Sequence, residues 1–103
     1  MLKIDRGPQR LVLQSGSTAI VLDREAQQVV LQRKFLFWAR KPIARPLSSI
    51  SETRVETIVD PASKAEISNV MLKMQEGGGW VLTARDKKDA TAAVTTIREF
   101  LAT

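Results

Sequence analysis

Three residue types with distinctive chemistry are missing from this chain of 103 residues: it contains no cysteine, no histidine and no tyrosine. The absence of cysteine excludes disulfide bonds, thiolate nucleophiles and thiolate metal ligands. The absence of histidine removes the commonest general base and the commonest metal ligand. No nucleophile motif is present, and no spacing of carboxylates singles out a pair for acid–base work. The sequence therefore predicts a protein that is not an enzyme and holds no metal or cofactor.

Long hydrophobic segments are also missing. The longest aromatic and apolar run, residues 35–39, is far shorter than the ~20 residues that a membrane-spanning helix needs. The N-terminus is charged from Lys3 onward and has no apolar run of signal-peptide length. We therefore expect one domain over residues 1–103, without a transmembrane segment, in the cytoplasm or bound peripherally at the inner face of the membrane.

Glycine and proline clusters divide the first 86 residues into short runs that have the length of strands. Glycines at Ser15-Gly16-Ser17 and at Glu76-Gly77-Gly78-Gly79 can adopt the positive φ of hairpin turns. Pro42 and Pro46 place the fourth run at a sheet edge or make it irregular, because proline donates no ladder hydrogen bond. The seven predicted strands are residues 9–14, 18–23, 28–37, 41–47, 50–59, 66–75 and 79–84.

The spacing of the apolar residues changes after residue 86. Apolar residues then recur at spacings of three and four, which is the pattern of one helical face. Asp86 is a suitable N-cap, and Asp89 stands three residues on, in the position of a capping box. These features predict a mainly β (α+β) protein with one C-terminal helix over about 87–101. The residues predicted to form the buried face of that helix are Ala90, Ala93, Val94, Ile97, Phe100 and Leu101.

Several segments keep one order along nearly the whole chain: 20–24, a turn, 29–34, 46–50, then 79–82 before an Asp-capped helix that ends with residues 97–101. This order and its apolar pattern resemble bacterial pleckstrin-homology-like domains. The resemblance implies a seven-stranded antiparallel barrel, or two bent sheets, closed by the C-terminal helix. Element order indicates a fold rather than a ligand.

Two features differ from that family. Phosphoinositide-binding members place basic residues around the first hairpin, whereas here Arg10 alone lies near that turn. No inositol-phosphate-binding residue is therefore carried over. The eukaryotic branch has a tryptophan in its final helix, and Phe100 is the nearest large aromatic residue here.

Positive charge is concentrated in the first half of the chain. The net charge is +5, and residues 1–54 hold ten Lys and Arg against four Asp and Glu. No acidic residue lies between Glu25 and Glu52, although five cations do. Three aromatic residues lie between two basic pairs in this stretch, and a hairpin of the third and fourth strands would place its tip near residues 37–41. The candidate contact residues are Arg33, Lys34, Phe37, Trp38, Arg40, Lys41 and Arg45.

This segment admits several interpretations. Tryptophan and cations favour the headgroup layer of an anionic membrane, and the same side chains can stack on bases and contact phosphates. Exposed apolar residues here can instead form a partner or subunit contact. In a purely structural interpretation Phe35 and Phe37 are core residues, Trp38 caps the barrel and the cations are a solvated rim.

The expected function is a non-catalytic binding or assembly module. It would act through protein–protein contacts, including self-association, or through peripheral contact with an anionic membrane. The alternatives are a nucleic-acid-binding protein that uses residues 33–45 and a small enzyme of unknown reaction.

Overall fold

The computed structural model describes residues 2–35, 38–39 and 41–102. Strands fill most of the chain, and one helix follows them. In chain order the elements are β1 (Leu2–Arg6), β2 (Arg10–Ser15), β3 (Thr18–Asp23), β4 (Gln28–Phe35), β5 (Trp38–Ala39), β6 (Ile43–Pro46), a short 3-10 turn (Leu47–Ser49), β7 (Ile50–Val59), β8 (Glu66–Met74), β9 (Gly79–Arg85) and α1 (Lys87–Ala102).

The first sheet is antiparallel and is built by successive hairpins from β1 to β4, with β5 and β6 both paired to the far edge of β4. Its registers align apolar residues across neighbouring strands, since Leu13 faces Ile20 and Ile20 faces Leu31. Because side chains alternate between the two faces of a strand, these residues share one face. That face is fully buried and holds Leu11, Leu13, Ile20, Leu22, Val29 and Leu31.

The second sheet is the antiparallel meander β7-β8-β9. Gly77 and Gly78 have φ values of 103° and 73° in the turn that joins β8 to β9, a region that glycine enters without steric cost. The glycine run is therefore a hairpin turn, as predicted. The alternation predicted for these strands is confirmed, because their even-numbered apolar residues are buried: Val70, Leu72, Met74, Trp80, Leu82 and Ala84.

Helix α1 packs against the second sheet and against β2. Its start is capped as predicted, because the Asp86 carboxylate accepts a hydrogen bond from the Lys88 N–H at 2.9 Å. The Asp86 N–H donates to the Ala84 carbonyl. The helix buries the predicted face at Ala90, Ala93, Val94, Ile97 and Phe100.

The two sheets and the helix share one hydrophobic core, and polar contacts link their margins. The Ser15 hydroxyl donates to the Thr83 carbonyl on β9. Arg6 on β1 forms an ion pair with Glu99 on α1 at 3.2 Å.

The mainly β fold with one C-terminal helix is confirmed. Of the two predicted arrangements, the strand pairings found among the described residues form two sheets, and they do not close into a barrel. Two further features differ from the sequence prediction. β1 was not predicted, and it pairs with β2 over its full length. Leu101 is 37% exposed rather than buried, because it lies beyond the stripe formed by Ile97 and Phe100.

None of the helices in the described part of the chain has the length and apolar character needed to cross a membrane.

The proline-containing fourth run lies at a sheet edge as predicted, since β6 pairs only with β4 among the strands described.

Candidate functional site

A hairpin is present at the β4 edge of the first sheet, as predicted, but the chain reverses before Trp38 rather than near residues 37–41. Phe35 pairs with Trp38 and Lys34 with Ala39, so the chain reverses between β4 and β5. It then continues antiparallel to β4 through β6, where Leu31 faces Ile43 and Val29 faces Arg45. Strand pairing therefore brings the two halves of the predicted basic segment together.

Three predicted cations reach one surface at this edge. Arg33 lies two residues beyond Leu31 on β4, and Lys41 lies two residues before Ile43 on β6. These four residues line a small cleft of about 60 Å³. Leu31 forms its buried floor, whereas Ile43 is 40% exposed.

Arg45 extends this surface, because strand alternation places it on the same face as Ile43. We call Arg33, Lys41, Ile43 and Arg45 the basic edge; all four are exposed. Arg45 Nη1 donates to the Ala44 carbonyl at 2.9 Å. In the described part of the chain Arg45 forms no ion pair with a carboxylate. The ion pairs found among the described residues, Arg6 with Glu99 and Arg10 with Asp23, lie elsewhere.

Four further residues were predicted to contact a partner. Phe37 and Arg40 lie outside the described residues, and Lys34 and Trp38 are described by their strand pairing. The placement of Phe35, Phe37 and Trp38 in the core therefore stays a prediction.

A second cavity of about 350 Å³ lies where the β3–β4 turn meets the end of helix α1. Arg24 is its central cation, and nothing in its local sequence distinguished it from an ordinary turn residue. Its guanidinium stacks over the Phe100 ring at 4.2 Å from the centroid. It also donates to the Pro8 carbonyl at 2.7 Å and to the Phe100 carbonyl at 2.8 Å.

These contacts give Arg24 a structural role. The Phe100 carbonyl belongs to the last turn of the helix, whose carbonyls lack intrahelical partners. A cation at this end also complements the helix dipole. Arg24 thus links the helix to the first sheet, and both of its hydrogen bonds described above go to backbone carbonyls.

The carboxylates do not assemble into a metal-binding group. No cluster of three or more candidate ligands is found in residues 2–35, 38–39 and 41–102. Asp60 lies in the β7–β8 loop, where hydrogen bonds from the Ser63 hydroxyl and the Ala62 N–H lower the pKa of its carboxyl group. Its carboxylate organises the loop, which is the ordinary use of aspartate in a turn.

Comparisons with models of known protein families, with curated proteins and with solved structures gave no match. The basic edge therefore has to be interpreted from its own geometry and charge.

Proposed function

We propose that this protein is a non-catalytic binding module with a pleckstrin-homology-like fold, and that its basic edge contacts an anionic membrane surface. The fold part of the proposal is supported by the order of the elements, in which two antiparallel sheets precede one C-terminal helix. It is also supported by the burial of Phe100, which is 1% exposed beside both sheets.

The observation that carries the proposal is the exposure of Arg33, Lys41 and Arg45 around Ile43. A cation near an anionic bilayer surface contributes about 1 kcal/mol, so three of them contribute about 3 kcal/mol. The half-exposed Ile43 adds an apolar group that can enter the headgroup region. A surface that combines cations with an apolar side chain fits a lipid headgroup layer, where both kinds of group are present.

Nucleic acid is the main alternative partner for the same cations. The helix offers little further support for that function, because Arg98 is engaged with the Thr53 carbonyl at 3.1 Å from Nε and 2.7 Å from Nη2. Its remaining cations are Lys87 and Lys88 at the opposite end. The helix therefore adds no cation beside the basic edge that could hold a nucleic-acid backbone.

Vesicle co-sedimentation with charge-matched variants tests the proposal. The triple variant Arg33→Gln, Lys41→Gln, Arg45→Gln removes the cations of the basic edge. The control Lys73→Gln, Lys87→Gln, Lys88→Gln removes the same charge from exposed positions elsewhere. At about 1 kcal/mol per cation, the first variant should lose roughly 150-fold in partitioning onto phosphatidylserine-containing vesicles, and the control should lose far less.

Three results would contradict the proposal. Equal losses for both variants would show that net charge alone matters. Equal binding to purely zwitterionic vesicles would show that anionic lipid is not required. Tighter binding to a single-stranded oligonucleotide than to anionic vesicles at the same salt concentration would favour the nucleic-acid alternative.

A further inference from the structure

Strand β7 has a free edge along its second half. It pairs only with β8 among the described strands. The Asp60 N–H donates to the Ala65 carbonyl on the β8 side, whereas the Thr53 carbonyl accepts from Arg98 on the other side. Since the backbone groups of successive residues point in opposite directions, the N–H and C=O groups of Val55, Thr57 and Val59 point away from β8.

Three other outer strands in the described part of the chain carry features that protect an edge. β1 contains Lys3, β6 contains Pro46 and directly follows Pro42, and β9 receives a hydrogen bond from Ser15 at Thr83. Residues 54–59 contain no proline, no lysine and no register shift, and their two charged residues, Arg54 and Glu56, are of opposite sign. Ile58 and Val59, which are 50% and 58% exposed, are the most exposed large hydrophobic residues described.

Charge and backbone contacts together leave this edge one register in which it can pair with a second copy of itself. A two-fold antiparallel pairing that joins outward-pointing residues can be centred on residue 55, 56, 57 or 58. Centring on 56 sets Glu56 against its own copy, and centring on 58 sets Glu56 against Asp60; like charges directly opposite are destabilising. Centring on 55 needs the Thr53 carbonyl that Arg98 already occupies.

The remaining register, centred on Thr57, has no such conflict. It pairs Val55 with Val59 of the second copy and sets Arg54 against Asp60 of the second copy. All three free residues then exchange backbone hydrogen bonds with the second copy. Hydrogen bonds within the loop lower the pKa of the Asp60 carboxyl group, and the exposed Arg54 makes no ion pair within the described part of the chain.

We propose that two copies of this protein associate through β7 as an antiparallel pair with its two-fold axis at Thr57. The two three-stranded sheets then form one continuous six-stranded sheet. Each copy contributes the same strand, so the assembly closes as a dimer and leaves no further edge of this kind open.

Cysteine cross-linking tests the register directly, because the natural chain contains no cysteine. Residues opposite each other in a hydrogen-bonded antiparallel pair have Cα atoms about 5.5 Å apart, within the roughly 4.4–6.8 Å span of a disulfide. Thr57→Cys should therefore oxidise to a covalent dimer. Val59→Cys is the matched control: the two copies of this position lie four residues out of register, about 14 Å apart at about 3.4 Å per residue, and should not cross-link.

Sedimentation equilibrium provides a second readout on the uncross-linked protein. Thr57→Pro removes the outward N–H of each copy, and Thr57→Ala keeps it while losing the same hydroxyl contact to Ser68. Loss of the two central hydrogen bonds should weaken dimerisation by roughly tenfold or more relative to Thr57→Ala. A wild-type protein that stays monomeric at several hundred micromolar would overturn the proposal, as would cross-linking that is equally fast at residues 57 and 59.

Discussion

Replacement of Arg24 by alanine should destabilise the protein far more than an ordinary surface substitution. The guanidinium makes two hydrogen bonds to backbone carbonyls, at 2.7 and 2.8 Å, and stacks on Phe100 at 4.2 Å. Hydrogen bonds from a charged group contribute about 1.5 kcal/mol or more each, and a partly exposed cation–π contact adds about 0.5–1 kcal/mol. Because water can rehydrate the two carbonyls in part, we expect a net loss of about 2–3 kcal/mol.

Urea unfolding followed by far-UV circular dichroism measures this loss. With a slope of about 1 kcal/mol per molar urea, the midpoint for Arg24→Ala should fall by about 2–3 M. Arg24→Lys should give an intermediate loss, because one ammonium group keeps the charge but lacks the planar fork that reaches both carbonyls. Arg10→Ala is the matched control: the Arg10 side chain is 65% exposed and lies 3.6 Å from Asp23, a pair that contributes less than about 1 kcal/mol. Equal destabilisation by Arg24→Ala and Arg10→Ala would refute the fastening role of Arg24.

Two further predictions concern turns. A Cβ added at Gly79 would lie 2.9 Å from the Leu72 carbonyl oxygen, so Gly79→Ala should lower the free energy of unfolding by about 1–3 kcal/mol through overpacking. In the control Gly7→Ala the nearest atom to the new Cβ is at 3.4 Å, and the loss should be small. Equal urea midpoints for the two variants would contradict this prediction. Hydrogen bonds from Ser63 and Ala62 lower the pKa of the Asp60 carboxyl group below its value in the unfolded chain. The stability that Asp60 contributes is therefore present above about pH 4 and is lost as the pH falls through the lowered pKa. The difference in unfolding free energy between wild type and Asp60→Asn should shrink in acid, and a difference that is independent of pH would contradict this prediction.

Local signals in the sequence predicted much of the fold. The glycines at 77–79 and the change of hydrophobic period near residue 86 marked a hairpin turn and the helix start within a residue or two. Alternation along β8 and β9 also identified their buried face, because each strand carries one apolar and one polar side. These features depend on residues close together in the chain, so a single sequence contains them.

Features that depend on distant partners were missed. In β1, apolar Leu2 and Ile4 alternate with Lys3 and Asp5, but the run is short and its burial does not follow the pattern, since Ile4 is 39% exposed. It is a strand because β2 supplies its ladder hydrogen bonds. The contact between Arg24 and Phe100 joins residues 76 positions apart, and no local pattern marks it. The choice between a closed barrel and two sheets, which the sequence left open, likewise depends on which distant strand edges pair.

The basic edge was predictable in composition but not in arrangement. A stretch without acidic residues identified Arg33, Lys41 and Arg45 from the sequence. That Arg33 and Lys41 flank one small cleft depends on the β4–β6 register, in which Leu31 faces Ile43. The register could not be counted from the sequence, because residues 34 and 35 pair with the separate short strand β5.

The most direct test of membrane contact is tryptophan emission on titration with vesicles, compared between the wild type and Trp38→Phe. Trp80 is buried, at 9% exposure in the core, so its emission should not respond to lipid, and any vesicle-dependent change should come from Trp38 on the hairpin beside the basic edge. The account predicts a blue shift with phosphatidylserine-containing vesicles that is absent with zwitterionic vesicles and absent in Trp38→Phe. An unchanged wild-type spectrum at saturating anionic lipid, or a shift that persists in Trp38→Phe, would contradict it.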